Sequence, residues 1–119
     1  MNKYKKIGII GGMGPESTAL LYRNIIHSFQ DKFKAYKDED FPEMIIHNLP
    51  VPDITENILN ESKVRTMLSK SVHFLEYSNV DIIVFPCNSL DYFTDYLVSQ
   101  TQIPLMSIVE ETSNEIKKR

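Results

Sequence analysis

The chain has 119 residues, 42% of them hydrophobic and 24% charged, with a formal net charge of -3 and a pI near 5.6. That is one domain's length with enough apolar content for a core, and its acidic balance excludes a general nucleic-acid or anionic-membrane partner. The single cysteine, Cys87, excludes an internal disulfide and suits a reducing cytoplasm. No apolar run is long enough to span a bilayer, and the start lacks the long apolar core and small-residue cleavage site of a signal peptide.

Tyr4 to Ile10 is a short apolar run ending at glycine, which predicts a buried parallel strand. All four glycines of the chain fall here, at Gly8, Gly11, Gly12 and Gly14, and Pro15 follows at once. Glycine serves where φ is positive or where something approaches the backbone closely, and proline is favoured at the first helical position. The segment therefore reads as a strand, a tight turn and a helix that opens onto that turn. Free N–H groups at such an end, together with the helix dipole, suit a carboxylate or phosphate. The bland alternative is a plain strand-to-helix turn with no ligand.

The first helix is expected from Pro15 to about Lys34, with Leu21, Ile25, Phe29 and Phe33 on one face. Ala35 to Phe41 is a polar connection closed by Pro42, and Glu43 to Asn48 reads as the second strand. Leu49-Pro50-Val51-Pro52-Asp53 is a loop, because its two prolines break any ladder. A second helix lies within Ile58 to Tyr77, with Val64, Leu68, Val72 and Leu75 as its apolar stripe. Asp81 to Phe85 is the clearest buried strand, closed by Pro86. A third helix is expected from about Ser89 to Val98, a fourth strand from Ile103 to Ile108 and a last helix from Glu110 to Lys118. Strands alternating with helices imply a single α/β domain over residues 1–119: a flavodoxin-like, four-stranded parallel sheet with helices on both faces. Ligands bind beyond the carboxyl ends of such strands, so the glycine loop, residues 49–55 and Pro86-Cys87-Asn88-Ser89 are expected to converge.

Two common ligands of glycine loops do not fit. A dinucleotide fingerprint begun at Gly12 would end on Ser17, and the acidic residues about twenty positions on precede any second strand. The phosphate loop needs a Lys after its glycines, and none follows. His27, His47 and His73 are scattered without metal-ligand spacing, so no metal site is expected. His47 near the end of the second strand either lines the cleft or is a hydrogen-bonded, partly buried side chain. Ser17 and Thr18 either meet the ligand or cap the turn.

Cys87 follows the strongest strand and precedes a helix, where the dipole favours thiolate and hence a nucleophile or base. Its alternative is a buried structural cysteine. Asn88 and Ser89 are good N-cap residues and equally good donors to a carboxylate.

Gly11-Gly12-Met13-Gly14-Pro15-Glu16-Ser17-Thr18, followed later by Phe85-Pro86-Cys87-Asn88-Ser89, resembles the aspartate/glutamate racemase family. Leu49 to Thr55 is similar to the family's substrate loop and Ile103 to Ile108 to its fourth strand, so the likeness covers nearly the whole chain in order. The resemblance implies inversion of an acidic amino acid without pyridoxal phosphate or any other cofactor. One cysteine thiolate takes the Cα proton and a second thiol returns one from the opposite face, the two lying in similar half-domains of a chain about twice this length. Thiolate as base and thiol as acid is sound chemistry near neutral pH, and the anionic intermediate needs fixed donors around the α-carboxylate. Carried over, Cys87 is one of the two thiols, Gly12, Met13, Gly14, Asn88 and Ser89 surround the carboxylate, and Asp53 and Thr55 shape the opposite wall.

Three positions depart from that pattern. The chain has one cysteine and ends at Arg119, so the family's second thiol is absent and this is expected to be the amino-terminal half alone. Ile54 stands where the family's loop usually has an Arg, which removes a bidentate carboxylate clamp and admits a neutral or hydrophobic substrate. Asp91 stands where histidine is frequent, and a carboxylate near Cys87 works against the thiolate. The readings are thus a cytoplasmic racemase half that acts on a small amino acid or dicarboxylate, completed by its carboxy-terminal half or by a second copy in a homodimer; a catalytically silent carboxylate-binding module; or an inactive half-enzyme. An enzyme half stripped of its partner should also expose an apolar face and self-associate.

Overall fold

A computed structural model describes residues 4–52, 58–85 and 93–106. In order these form β1 (Ile7–Gly11), α1 (Pro15–Phe33), β2 (Met44–Asn48), α2 (Ile58–Tyr77), β3 (Ile82–Val84), α3 (Thr94–Gln100) and β4 (Leu105–Met106). The strands make one sheet in the order β2-β1-β3-β4, with every pair parallel. This is a flavodoxin-like, doubly wound order, in the four-stranded parallel sheet expected from the sequence.

Both faces of the sheet are covered, which is why its central strands are continuous apolar runs rather than alternating ones. Ile7 and Ile9 of β1 and Ile82 and Val84 of β3 pack with Leu21, Ile25 and Phe29 of α1. Ile10, Ile83 and Phe85 point the other way, into Val64, Leu68, Val72 and Leu75 of α2 and Leu97 of α3. The helix stripes are thus the expected ones, and full burial of each such side chain is worth about 1.5–3 kcal/mol. At the base of α1 the rings of Tyr4 and Phe29 meet edge to face with centroids 4.7 Å apart, and Phe33 joins them at 5.0 Å from Phe29.

Both long helices end on left-handed residues. Lys34 has φ 57°, and its N–H and that of Ala35 close on the Phe29 carbonyl. After α2, Asn79 at φ 63° donates to Glu76 O and Val80 donates to Leu75 O, a Schellman closure. Val80 and Leu75 are both buried, which supplies the apolar contact that accompanies this motif.

The first strand is Ile7–Gly11 rather than Tyr4 to Ile10 and the third Ile82–Val84 rather than Asp81 to Phe85, and three further differences have a visible cause. Within Ala35 to Phe41, read as a plain connection, Asp38–Asp40 form a 3-10 turn. The Asp40 carboxylate accepts the N–H groups of Tyr36 (3.1 Å) and Lys37 (3.0 Å), a local side-chain closure that hydrophobic periodicity does not report. The third helix runs to Gln100 rather than Val98, held by the side-chain bond from Ser69 of α2 to Gln100 (2.9 Å). In β4 the ladder begins at the carbonyl of Pro104, which accepts from Ile83 N–H at 2.9 Å, since proline has no N–H to give. The last expected helix, Glu110 to Lys118, lies outside the described residues.

Candidate active site

Strand order fixes where a ligand can sit. From β1 the chain turns to β2 on one side, and from β3 it turns to β4 on the other, so the switch point lies between β1 and β3. Ile9 pairs with Val84, and Phe85 N–H reaches Met106 O at 2.8 Å. The glycine loop therefore leaves β1 beside the point where Phe85 hands the chain to Pro86 and Cys87. A doubly wound sheet opens its ligand crevice at such a point.

Within the loop, the glycines divide into two groups. Gly12 sits at φ +99°, and a Cβ there would lie 2.5 Å from the backbone N and O of Leu49. The close approach arises because Leu49 N–H extends the β1–β2 ladder to Gly11 O at 2.8 Å. A Cβ on Gly11 would lie 2.5 Å from the Thr18 side chain. These two glycines are required by the chain itself. Gly14 is different: its φ is -97°, it is exposed, and a Cβ would meet nothing within 4 Å.

The hydrogen bonds follow the same division. Gly12 N–H is held by Thr18 Oγ1 at 2.9 Å, and that hydroxyl donates onward to Gly14 O at 3.1 Å. Of the two roles open to Thr18, capping the turn is the one it plays. Gly12, expected beside the ligand, spends its own donor on Thr18, while Met13 is half-buried against the α2-side core. Gly14 is the N-cap of α1 with no side-chain cap, and Pro15 stands in the first turn. The first intrahelical bond is Thr18 N–H to Gly14 O at 3.2 Å, so the amides of Glu16 and Ser17 in the first turn have no helical acceptor. An anion at Gly14 would meet these donors and the positive end of the 19-residue α1.

The wall opposite begins at Leu49, which is buried, and turns through Val51 N–H to Leu49 O at 2.9 Å. Asp53, Ile54 and Thr55, expected on that wall, and Cys87, Asn88, Ser89 and Asp91, which follow β3 in the sequence, lie outside the described residues. His47 is the hydrogen-bonded histidine of its two readings: Nδ1 and the fully buried Ser71 Oγ are 2.7 Å apart, and the ring packs at 5.1 Å on Phe74. No group of three or more His, Cys, Asp or Glu able to hold a metal occurs among the described residues. Neither is any of their helices long and apolar enough to cross a membrane.

One arrangement between α2 and α3 is not evident from the sequence. Arg65 of α2 lies over the rings of Phe93 (5.9 Å) and Tyr96 (5.3 Å) and pairs with Glu61 at 3.3 Å, tying α2 to the start of α3. The Glu61–Arg65 spacing of four residues was the available signal; the aromatic partners, nearly thirty positions on, were not visible without the fold.

Comparison with known proteins agrees with this geometry. Residues 10–119 match the family model described as Asp/Glu/Hydantoin racemase. The broad specificity amino-acid racemase RacX of Bacillus subtilis is 32% identical over 110 residues, which is 92% of this chain and 48% of RacX. The crystal structure of an aspartate racemase homologue from Pyrococcus horikoshii superposes with a TM-score of 0.75 at 31% identity, over 97% of this chain and 50% of that one. The aspartate racemase of Picrophilus torridus gives 0.67 at 26% identity, over 87% and 43%. The chain thus spans about half the length of the relatives it matches. On the strength of the motif order, the strand order and these matches, the chain belongs to the Asp/Glu/Hydantoin racemase family.

Proposed function

We propose that this chain is the amino-terminal half-domain of a cofactor-independent amino-acid racemase and carries one of its two acid/base thiols, Cys87. The observation that carries the reading is the juxtaposition at the switch point. The open, donor-bearing side of the glycine loop and the start of the Cys87 segment leave neighbouring strands at the same edge of the sheet.

The substrate's α-carboxylate would sit at Gly14 against the first-turn amides. The Cys87 thiolate would take the Cα proton, and the electron pair left behind would delocalise into that carboxylate, where fixed N–H donors count most. Inversion then needs a proton from a second thiol on the opposite face, and this sequence has no second cysteine. The second acid would come from a carboxy-terminal half or from another copy of the chain. The broad specificity of RacX and the Ile54 at the family's usual Arg position both support a neutral or hydrophobic substrate side chain. The lone cysteine equally favours a second reading, a carboxylate-binding half that does not turn over by itself.

The test is Cα deuterium exchange in D₂O, followed by proton NMR, on L-aspartate, L-glutamate, L-alanine and L-leucine, with Cys87→Ser purified in parallel. Exchange with appearance of the D-isomer, lost in the variant, establishes a site completed between copies. Exchange without inversion marks Cys87 as a base lacking its partner acid. No exchange, with binding retained in a calorimetric titration, leaves the binding module; no binding ends the proposal.

A further inference from the structure

Among the described residues only two polar side chains are buried, Thr18 and Ser71. Ser71 is accounted for by His47. Thr18 is used in a way that its place in a helix does not by itself require. A threonine in the first turn commonly bonds back to the carbonyl four residues earlier, and the bond to Gly14 O is of that kind. The second bond, from Gly12 N–H six residues back, is not.

A hydroxyl has one proton to give and lone pairs to accept with. Here the proton goes to Gly14 O and a lone pair takes Gly12 N–H, so the side chain has no proton left to donate to a carboxylate. At 5% exposure it is also out of reach of one. What the two bonds do is pin the backbone on either side of Met13. The segment between Gly12 and Gly14 is held at both ends by one oxygen, so Gly14 keeps its place relative to the helix start and the Glu16 and Ser17 amides there. The fit is close, since Thr18 also fills the space a Cβ on Gly11 would need. Donors fixed before the ligand arrives need no rearrangement when it binds.

We infer that Thr18 is the positioning residue of the carboxylate site: its hydroxyl, touching no substrate, fixes the Gly12–Gly14 turn against the helix start and so sets Gly14 in place beside the open amides of Glu16 and Ser17. The inference rests on the reading of the glycine loop as a carboxylate site. Thr18→Val keeps the shape and removes the hydroxyl, whereas Thr18→Ser keeps the hydroxyl and removes the methyl. If the side chain mattered only by packing, valine would be the harmless change and serine the harmful one.

The experiment is calorimetric titration of wild type, Thr18→Val and Thr18→Ser with L-aspartate, L-glutamate, L-alanine and L-leucine, each protein checked for fold by its ¹H–¹⁵N spectrum. With any ligand that wild type binds, Thr18→Val is expected to raise Kd about tenfold or more, and Thr18→Ser to stay within about threefold. Wild-type affinity in Thr18→Val, or equal loss in both variants, overturns the inference and leaves the carboxylate site standing. A wild type that binds none of the four overturns the site and the inference together. Should Thr18→Val fail to fold, wild-type amide exchange decides. Saturating ligand should protect the Glu16 and Ser17 amides and leave Gly12, already held by Thr18, unchanged. New protection confined to Gly12 overturns the inference.

Discussion

The two ends of the sheet treat their polar groups in opposite ways. At the amino end, Lys6 N–H reaches Asp81 Oδ2 at 2.7 Å, Asp81 N–H returns to Lys6 O at 2.7 Å, and Lys6 Nζ donates to Ser78 O at 2.8 Å. Glu43 completes the set, with its carbonyl on Ile7 N–H and its carboxylate 3.5 Å from Lys6 Nζ. Three strands and the end of α2 are laced together there by groups that satisfy one another. At the carboxyl end the lacing stops halfway through the glycine loop: Gly11 and Gly12 are engaged, and beyond Gly14 the first-turn amides have no helical acceptor. Buried polar groups in a folded chain are normally paired with others of the chain. An end that breaks off its own pairing in an orderly way is arranged for something that is not the chain. That contrast, more than the glycine count, separates scaffold from site.

The largest effect that would probe this division is at Gly12. Gly12→Ala sets a side chain at φ +99° and 2.5 Å from the Leu49 backbone, neither of which can yield without opening the β1–β2 register. A loss of about 3 kcal/mol or more is expected in chemical denaturation, from the combined cost of a strained φ and overpacking. Wild-type stability in this variant would break the claim that the rear of the loop is scaffold. Asp81→Ala comes next. It leaves Lys6 N–H without its charged acceptor and should lose about 2 kcal/mol, with ligand affinity unchanged. A shift in affinity there would show the two ends to be coupled. Lys6→Met keeps the stem and removes the bond to Ser78 O together with the exposed ion pair to Glu43. About 1 kcal/mol is expected, again without effect on binding.

How much of this was legible in the sequence follows the same line. The sheet and its covering helices were readable because apolar spacing reports burial directly: Leu21, Ile25 and Phe29, and Val64, Leu68, Val72 and Leu75, are buried as their periods require. The proposed site was readable as a place, since β1 leads into the glycine loop and β3 into Pro86-Cys87 at the carboxyl edge of a parallel sheet. The division of labour inside the loop was not. A sequence writes Gly12 and Gly14 with the same letter, and only the positions of Leu49 and Thr18 show that one is filled by the chain and the other left open. The polar lacing of the amino end was equally hidden, because Lys6 and Asp81 are 75 positions apart and carry no pattern that links them.

Gly14→Ala has the smallest expected effect on the fold and the sharpest bearing on the comparison. Its φ of -97° and ψ of 174° suit alanine, and the added methyl meets nothing within 4 Å. By stiffening the unfolded chain, such a change ordinarily stabilises by about 0.4–1 kcal/mol. A position that gains stability from a side chain and yet carries none is kept bare for another reason. If a carboxylate rests there, the methyl stands where it must approach, and affinity should fall at least about tenfold while the melting temperature holds or rises. The pairing of those two measurements matters, because destabilised variants lose binding for uninformative reasons and this one should not be destabilised. Undiminished binding in a stabilised Gly14→Ala would move the carboxylate away from the helix start. Cys87 would then face a substrate held by other residues.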